Sequence, residues 1–441
     1  TPAKDVYTQI INDLLECESK LPVTQKDYGR ATKGAAQFLL ARVYLTRGWN
    51  YNNSLGGSSA DFTSALQYCD KVIAKYPLQP DYKKLWPQHS ENPTNQPWTA
   101  TSSVANNKDP EVVFSVQYSS DILTNYGDPT EGNALIGNNL HSIFGGDPGG
   151  APGAVSRTND YNRHLDDHLV TPATYRMFDP DLDTRYSWDF VDAIVAMQNV
   201  ASFKPDPSNP SFTISFNKGD TVIKYLPWNH PATDPADFGY DRPGGTKKYS
   251  VVNTSQFGAA FAPGNPNPYK VSQPLMWKFW QPGIQYGDGY GTANDPLFRA
   301  ADAYLMAAEA IVKGATGGTL GGADVYYNKV LDRALGPNAG ANPQCAAHPE
   351  DVNDYTTVGY RATPSNITID LILDERAREL LGEGDQRWYD LKRTGTLISR
   401  AKKYNPWTGA KNAISDIHYL RPLPQGLIDN SNPKVSQNPG Y

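Results

Sequence analysis

Several strings in this chain carry residue types that can do chemistry. His164 and His168 stand four apart in HLDDH, a separation at which one helix face presents two imidazoles to zinc. Leu165 follows the first histidine, however, where a zinc peptidase of this pattern carries Glu, so a hydrogen-bonded loop or helix start is expected. Asp179, Asp181 and Asp183 open like a calcium loop, but Thr184 takes the place of the turn glycine and Phe190 that of the closing glutamate. Gly287, Gly289 and Gly291 lack the strand-then-helix context of a dinucleotide-binding turn. No G-x-S-x-G elbow is present. Acidic residues abound, but carboxylates that hydrolyse glycosides must face each other across ~5 to 10 Å, and spacing in sequence does not reveal that. No metal or cofactor is expected from these strings, and no catalytic constellation emerges.

The aromatic residues are more telling: 27 Tyr, 14 Phe and 9 Trp, many beside Gly, Pro and Asn rather than inside periodic apolar segments. Trp and Tyr rings stack on the apolar faces of sugars while neighbouring amides, carboxylates and guanidiniums bond the hydroxyls, and rigid rings offer contact area at low entropic cost. Candidate platforms are Trp49 and Tyr51 among Asn50, Asn52 and Asn53; Trp86 and Trp98; Trp228 with Asn229 and His230; Tyr240 with Asp241 and Arg242; Trp277 and Trp280; and Tyr286 and Tyr290. The competing reading is that such rings pin long loops to the scaffold. For any one of them packing is the default, while some member of the set is expected to touch ligand.

The elements that must hold these loops are helical at both ends of the chain. Lys33 to Arg47 places Ala35, Leu39 and Val43 in one apolar row and Ala36, Leu40 and Tyr44 in the next, with Thr32 to cap the start and Gly48 the end. A second amphipathic helix begins at Asp61 and is closed by Pro77, and Ala3 to Lys20 is expected to lie against this pair. Small residues that let paired helices approach closely follow tetratricopeptide logic, and the design recurs at Arg299 to Lys313 and Ala323 to Leu335. Pairs so far apart in sequence must meet in space or be covered otherwise, because an isolated pair leaves an apolar face exposed.

Half of the chain's 72 Gly and Pro fall between residues 121 and 296, with only short periodic pieces: a strand at Glu111 to Tyr118 at its edge, a short helix near Thr171 to Phe178, and an alternating run at Ser211 to Phe216. Loops of that length inside a compact protein are usually functional. Helix returns at Ile367 to Leu381, behind a Ser365-Asn366 cap, and at Gln386 to Arg393; Tyr419 to Tyr441 reads as an extended strap. The expected organisation is mainly α: a helical part at 1–120, a loop-rich excursion with short strands at 121–296, and a helical part with its strap at 297–441, together forming one unit.

Composition bounds the rest. The 441 residues suffice for a core without staples, and a net charge of -6 with no basic stripe argues against nucleic acid. Cys17, Cys69 and Cys345 are too few and too scattered for a disulfide framework or a thiolate metal site. No stretch approaches the ~20 apolar residues that span a bilayer.

The string DERARELLGEGDQRWYDLKRTG, Asp374 to Gly395, alternates charge densely, as a solvated helix face would, yet holds Trp388 and Tyr389. That mixture suits a helical corner in which Arg376, Arg387 and Arg393 meet Glu379, Glu383 and Asp390 above packed rings, with Trp388 in the core. Here the chain resembles the SusD/RagB family of surface nutrient-binding lipoproteins of Bacteroidetes, whose C-terminal region carries an ER-x-REL, GE, RW-x-DL-x-R signature. Gly29 to Gly48, Met177 to Phe190, Pro296 to Ala310 and Arg421 to Tyr441 are similar to further family segments in the same order. Gln386 stands where the family often has His, and Asp385 lengthens the corner by a residue.

The resemblance implies a cell-surface binding subunit without catalysis that lids a SusC-like TonB-dependent outer-membrane transporter and is held to the membrane by an N-terminal lipid. Oligosaccharide is the expected cargo; a peptide cargo, or a surface scaffold with no transport role, are the alternatives. The family's ligand surface is built from loop aromatics, which favours Trp228, Tyr240, Tyr286 and Tyr290, then Trp49, Tyr51 and Trp98, with Trp277 and Trp280 ranked lower. Family members begin with a lipidated cysteine and further repeat helices, so a chain that starts well inside such a protein is expected, with Cys17 not the anchor.

Overall fold

Helix α1 (Ala3–Lys20) lies against α2 (Lys33–Trp49) and α3 (Ala60–Lys75) through one carboxylate. Glu18 accepts from Gln37 Nε2 at 2.9 Å, Tyr68 OH at 3.1 Å and Lys71 Nζ at 2.9 Å. Small residues Gly34, Ala35, Ala36 and Ala41 are buried along α2, which brings α3 close, with Phe62, Ala65, Leu66, Cys69 and Val72 facing inward. Thr32 caps α2 as expected, but the helix runs past Gly48 to Trp49 and stops where Asn50 turns left-handed. The bare Gly48 backbone matters for packing: a Cβ there would stand 3.0 Å from the Phe62 ring.

The structure, a computed structural model, describes residues 1–86, 108–118, 137–144, 168–205, 209–230, 234, 238–240, 244–253, 274–281, 291–346, 355–384, 386–405, 408 and 412–441. Beyond α3 come the single turn α4 (Tyr82–Leu85), strand β1 (Val112–Val116) and the short helices α5 (Leu140–Ile143), α6 (Pro172–Arg176) and α7 (Thr184–Asp189). Five strands follow: β2 (Ala193–Val195), β3 (Val200–Phe203), β4 (Ile214–Phe216), β5 (Thr221–Leu226) and β6 (Ser250–Asn253). β5 is central, antiparallel to β2 and parallel to β6, and β3 pairs with β4 alone.

β7 (Asp295–Arg299) then runs antiparallel to β1 and feeds straight into α8 (Ala300–Val312). The sequence pattern merged this strand with its helix; Pro296 sits in β7, where its missing N–H is tolerated in a bulged two-stranded ladder. The chain continues through α9 (Ala323–Leu335), α10 (Tyr355–Val358), α11 (Ile369–Glu379), α12 (Gln386–Arg393), α13 (Leu397–Tyr404) and α14 (Gln425–Asn430). Thr368, rather than Ser365 or Asn366, caps α11, its hydroxyl accepting from Leu371 N at 3.1 Å. α14 interrupts the strap, which is otherwise extended and is tied by Gln437 to both backbone groups of Leu423.

The two distant helix pairs meet. Residues of α2, α3, α8, α9 and α11 share one core, in which Phe38 stacks on Phe298 at 4.8 Å and the alanines of α8 are almost wholly buried. A second core lies under the excursion and a third under the C-terminal corner. The fold is mainly α with a strand-bearing excursion. No described helix is long and apolar enough to cross a membrane.

Between the first two cores lies a buried ionic hub. Glu379, at the end of α11, accepts from Arg185 at 3.0 Å, from Arg299 at 2.5 Å and from Arg333. Arg299 also reaches Glu111 at 2.8 Å and Glu383 at 2.6 Å, while Lys278 holds Glu383 at 2.7 Å. Burial alone would raise the Glu379 pKa, but Arg333, Arg299, Arg185 and Lys278 outweigh it and hold the carboxyl well below the usual range. The charged string pairs within itself where Asp390 takes both Arg376 and Arg393, as expected, and outward elsewhere: Arg376 also takes Asp302, Arg393 also takes Glu309, and Arg387 bonds the Leu373 carbonyl rather than an acid. Trp388 packs on the third core, whereas Tyr389 is 53% exposed.

Candidate ligand-binding site

Trp228 leaves β5 through Pro227 and stops half-buried. Its indole N–H donates to the Phe178 carbonyl at 2.8 Å, and exposed Asn229 donates to Asp181 Oδ2 at 2.6 Å, so this corner is fixed to the loop between α6 and α7. That loop is rigid because Asp179 Oδ1 accepts from the backbone of Asp181 and Leu182, and its Oδ2 from Gln344 N. Asp183 caps α7 and grips Arg185. The aspartates that mimic a calcium loop are thus occupied by backbone at Asp179, by the Asn229 amide at Asp181 and by guanidinium at Asp183, and no described group of His, Cys, Asp and Glu could hold a metal ion.

Tyr240 is half-buried and meets Phe203 edge-on at 5.8 Å, on the second core. Trp228 and Tyr240 rest on different supports within the excursion. Trp49 is held more firmly: its indole N–H donates to Glu309 Oε1 at 2.7 Å, and Lys313 Nζ lies 4.2 Å from the ring centroid. Tyr51 stacks on Tyr419 at 4.7 Å, which ties the loop after α2 to the C-terminal strap. Asn50, Asn52 and Asn53 all take positive φ, and Asn50 bonds Leu55 N and Gly57 O, so these amides shape the loop itself. Trp277 and Trp280 are buried and stack on each other at 5.0 Å, and buried Trp86 meets Phe279 edge-on. Trp98, Tyr286, Tyr290, Asp241, Arg242 and His164 lie outside the described residues.

Polar groups deep in the molecule are tied to structure. Asp189 is fully buried beneath the excursion; desolvation drives its pKa up to about 7 against the pull of Lys278 and the Tyr82 hydroxyl. Burial pushes His141 down to about 4, which keeps it neutral beside Ser142. One cavity, of about 210 Å³, escaped the sequence reading: it lies between the α1–α2 loop, the end of α3 and β1, with Tyr28 and Tyr76 in its wall. The Asp27-Tyr28-Gly29-Arg30 turn was its only signal, and it carries no periodicity.

Comparison with known proteins completes the picture. The chain is 25% identical over 451 residues to the starch-binding protein SusD of Bacteroides thetaiotaomicron, covering 99% of this chain and 65% of that protein. It thus spans less than two thirds of that relative's length. Its fold is similar to that of surface glycan-binding protein A of Bacteroides thetaiotaomicron, solved with laminarihexaose, at TM-score 0.55 and 20% identity over 98% of this chain and 70% of that one. It is similar as well to a laminarin-binding SusD-like protein, at TM-score 0.56 and 19% identity over 99% of this chain and 69% of the other. Residues 78–441 match the profile of the SusD family. With helix pairs, ionic corner and strap in the expected order, the chain belongs to the SusD family.

Proposed function

We propose that this protein captures oligosaccharide at the outer face of the outer membrane and passes it, without chemical change, to a SusC-like TonB-dependent transporter that it lids. The family match over residues 78–441, together with relatives named for binding starch and laminarin, is the observation that carries this reading. Anchoring to that membrane by an N-terminal lipid is part of the same proposal. We assign the binding surface to the excursion loops that carry Trp228 and Tyr240, with Tyr286, Tyr290, Trp49, Tyr51 and Trp98 as further candidate contacts. Capture needs no chemical step, and the hub acids Glu375, Glu379, Glu383 and Asp183 are each bound to Arg or Lys, so none of these four stands ready as a general acid. Gating needs only that ligand bind the closed lid more tightly than the open one.

Affinity electrophoresis through gels containing starch or laminarin tests the reading. Retardation in one of them is expected, with Trp228→Ala weakening it roughly threefold to tenfold, the loss of one stacked ring. Migration unchanged in every glycan gel, or release of shorter sugars from the glycan, would overturn it.

A further inference from the structure

The loop between α1 and α2 crosses over to β1. Lys108, just before β1, holds its Nζ 5.6 Å from the Tyr28 ring centroid, and the bare backbone of Gly29 lies against Gln117, where an added Cβ would come within 2.4 Å of its side chain. Four consecutive residues, Val112 to Ser115, border the cavity of about 210 Å³ that remains. Successive side chains of a strand point to opposite faces, so such a run lines one cavity along the strand edge, and β7 holds the other edge of this two-stranded sheet.

The wall opposite the strand is built from planar polar groups and rings. Arg30 Nε donates to Asp27 Oδ2 at 3.1 Å, and Gln25 Nε2 donates to the Ala31 carbonyl at 2.7 Å. Tyr76 OH shares a hydrogen bond of 3.0 Å with Thr32. These bonds use only part of the side chains' capacity: the terminal nitrogens of Arg30, Asp27 Oδ1 and Gln25 Oε1 have no partner among the described residues, and the Arg30 and Asp27 side chains are 69% and 62% exposed. Tyr28 is 38% exposed. The volume falls below the ~300 Å³ at which pockets for drug-sized ligands begin, which leaves room for one ring with its hydroxyls. Phenol rings beside a carboxylate, a guanidinium and an amide match a sugar ring, apolar on its face and polar around its rim.

We propose that this cavity is a second carbohydrate subsite, which takes one pyranose ring of a neutral oligosaccharide on the helical scaffold, apart from the excursion surface. The inference rests on the glycan-binding function proposed above, and its test separates the two. Hydrogen exchange of the full chain is followed with laminarihexaose, maltohexaose, xylohexaose and mannohexaose. The expected result is slowed exchange at residues 23–30 and 112–116 with at least one of them. In Arg30→Ala, an exposed substitution outside every core, the sugar concentration for half protection of these two segments rises roughly tenfold, the loss of a charge-assisted hydrogen bond. Protection confined to the excursion would overturn the subsite and leave the function standing. No protection anywhere with any of the four sugars would overturn both.

Discussion

Asp189 accepts the Tyr82 hydroxyl at 3.0 and 3.1 Å on its two oxygens and is otherwise closed off from water. Because its folded pKa is raised from 3.8 to about 7, the folded state holds a proton that the unfolded chain releases. Its stabilising contribution is complete below pH 3.8 and is lost as pH rises through about 7. His141 works in the opposite direction: with its pKa lowered from 6.5 to about 4, its contribution is present above 6.5 and is lost on acidification. The wild-type profile therefore blends the two, and the difference between variant and wild type isolates one. Relative to wild type, Asp189→Asn should gain about 1.4 kcal/mol per pH unit between pH 4 and 7 and then level off. Urea melts across that range check this, and a difference independent of pH would show that Asp189 is ionised throughout. Nothing in the string WDFVD sets Asp189 apart from its neighbours. Its environment is made by Tyr82 and Lys278, 107 and 89 positions away, and burial of that kind is a tertiary property.

The loop that carries Trp49 and Tyr51 owes its path to Gly57. A Cβ at that residue would fall 1.7 Å from the Arg47 carbonyl oxygen, a backbone atom that cannot rotate away. Gly57→Ala should therefore push the loop off α2, strain the Asn50–Gly57 bond and lift Tyr51 from Tyr419, at a cost of roughly 1 to 3 kcal/mol. Thermal melts measure the loss and near-ultraviolet circular dichroism the tyrosine stack; an unchanged stack would mean that the loop is held by Trp49 and Glu309 instead. At the scale of elements the helices were legible, because a 3.6-residue period is written locally: α12 was expected at the bounds it takes, and α2 and α11 within two residues at each end. β7 was not, since its five residues are defined by pairing with β1 across some 180 positions. The loop aromatics were recognisable as a class. Which of them pack is decided by partners such as Glu309 for Trp49 and Phe178 for Trp228, and those partners lie in other segments.

Across the whole molecule, the ionic hub joins the three stretches that composition separates. Glu111 comes from the first, Arg185 and Lys278 from the second, and Arg299, Arg333, Glu375, Glu379 and Glu383 from the third. The density of charge was visible in the sequence, but it read as a local corner, whereas the acids reach guanidiniums up to 194 positions away. A buried pair adds little over an apolar substitute, yet removing one member strands the others, which typically costs 3–5 kcal/mol. Glu379→Ala would leave Arg185, Arg299 and Arg333 each short of a partner while the helices keep their own hydrogen bonds. If the hub joins scaffold and excursion into one cooperative unit, the helical signal at 222 nm and tryptophan fluorescence should report a single transition in wild type. Four of the nine tryptophans, Trp188, Trp228, Trp277 and Trp280, sit in the excursion, so fluorescence weighs that part more heavily than the helical signal does. In Glu379→Ala both transitions should move down together. If fluorescence were lost first while the helical signal persisted, the excursion would be a separately folding domain hung on the scaffold, and a ligand bound there could move without moving the helices. A single transition instead means that excursion and scaffold fold as one cooperative unit, which is the condition that the proposed lid requires.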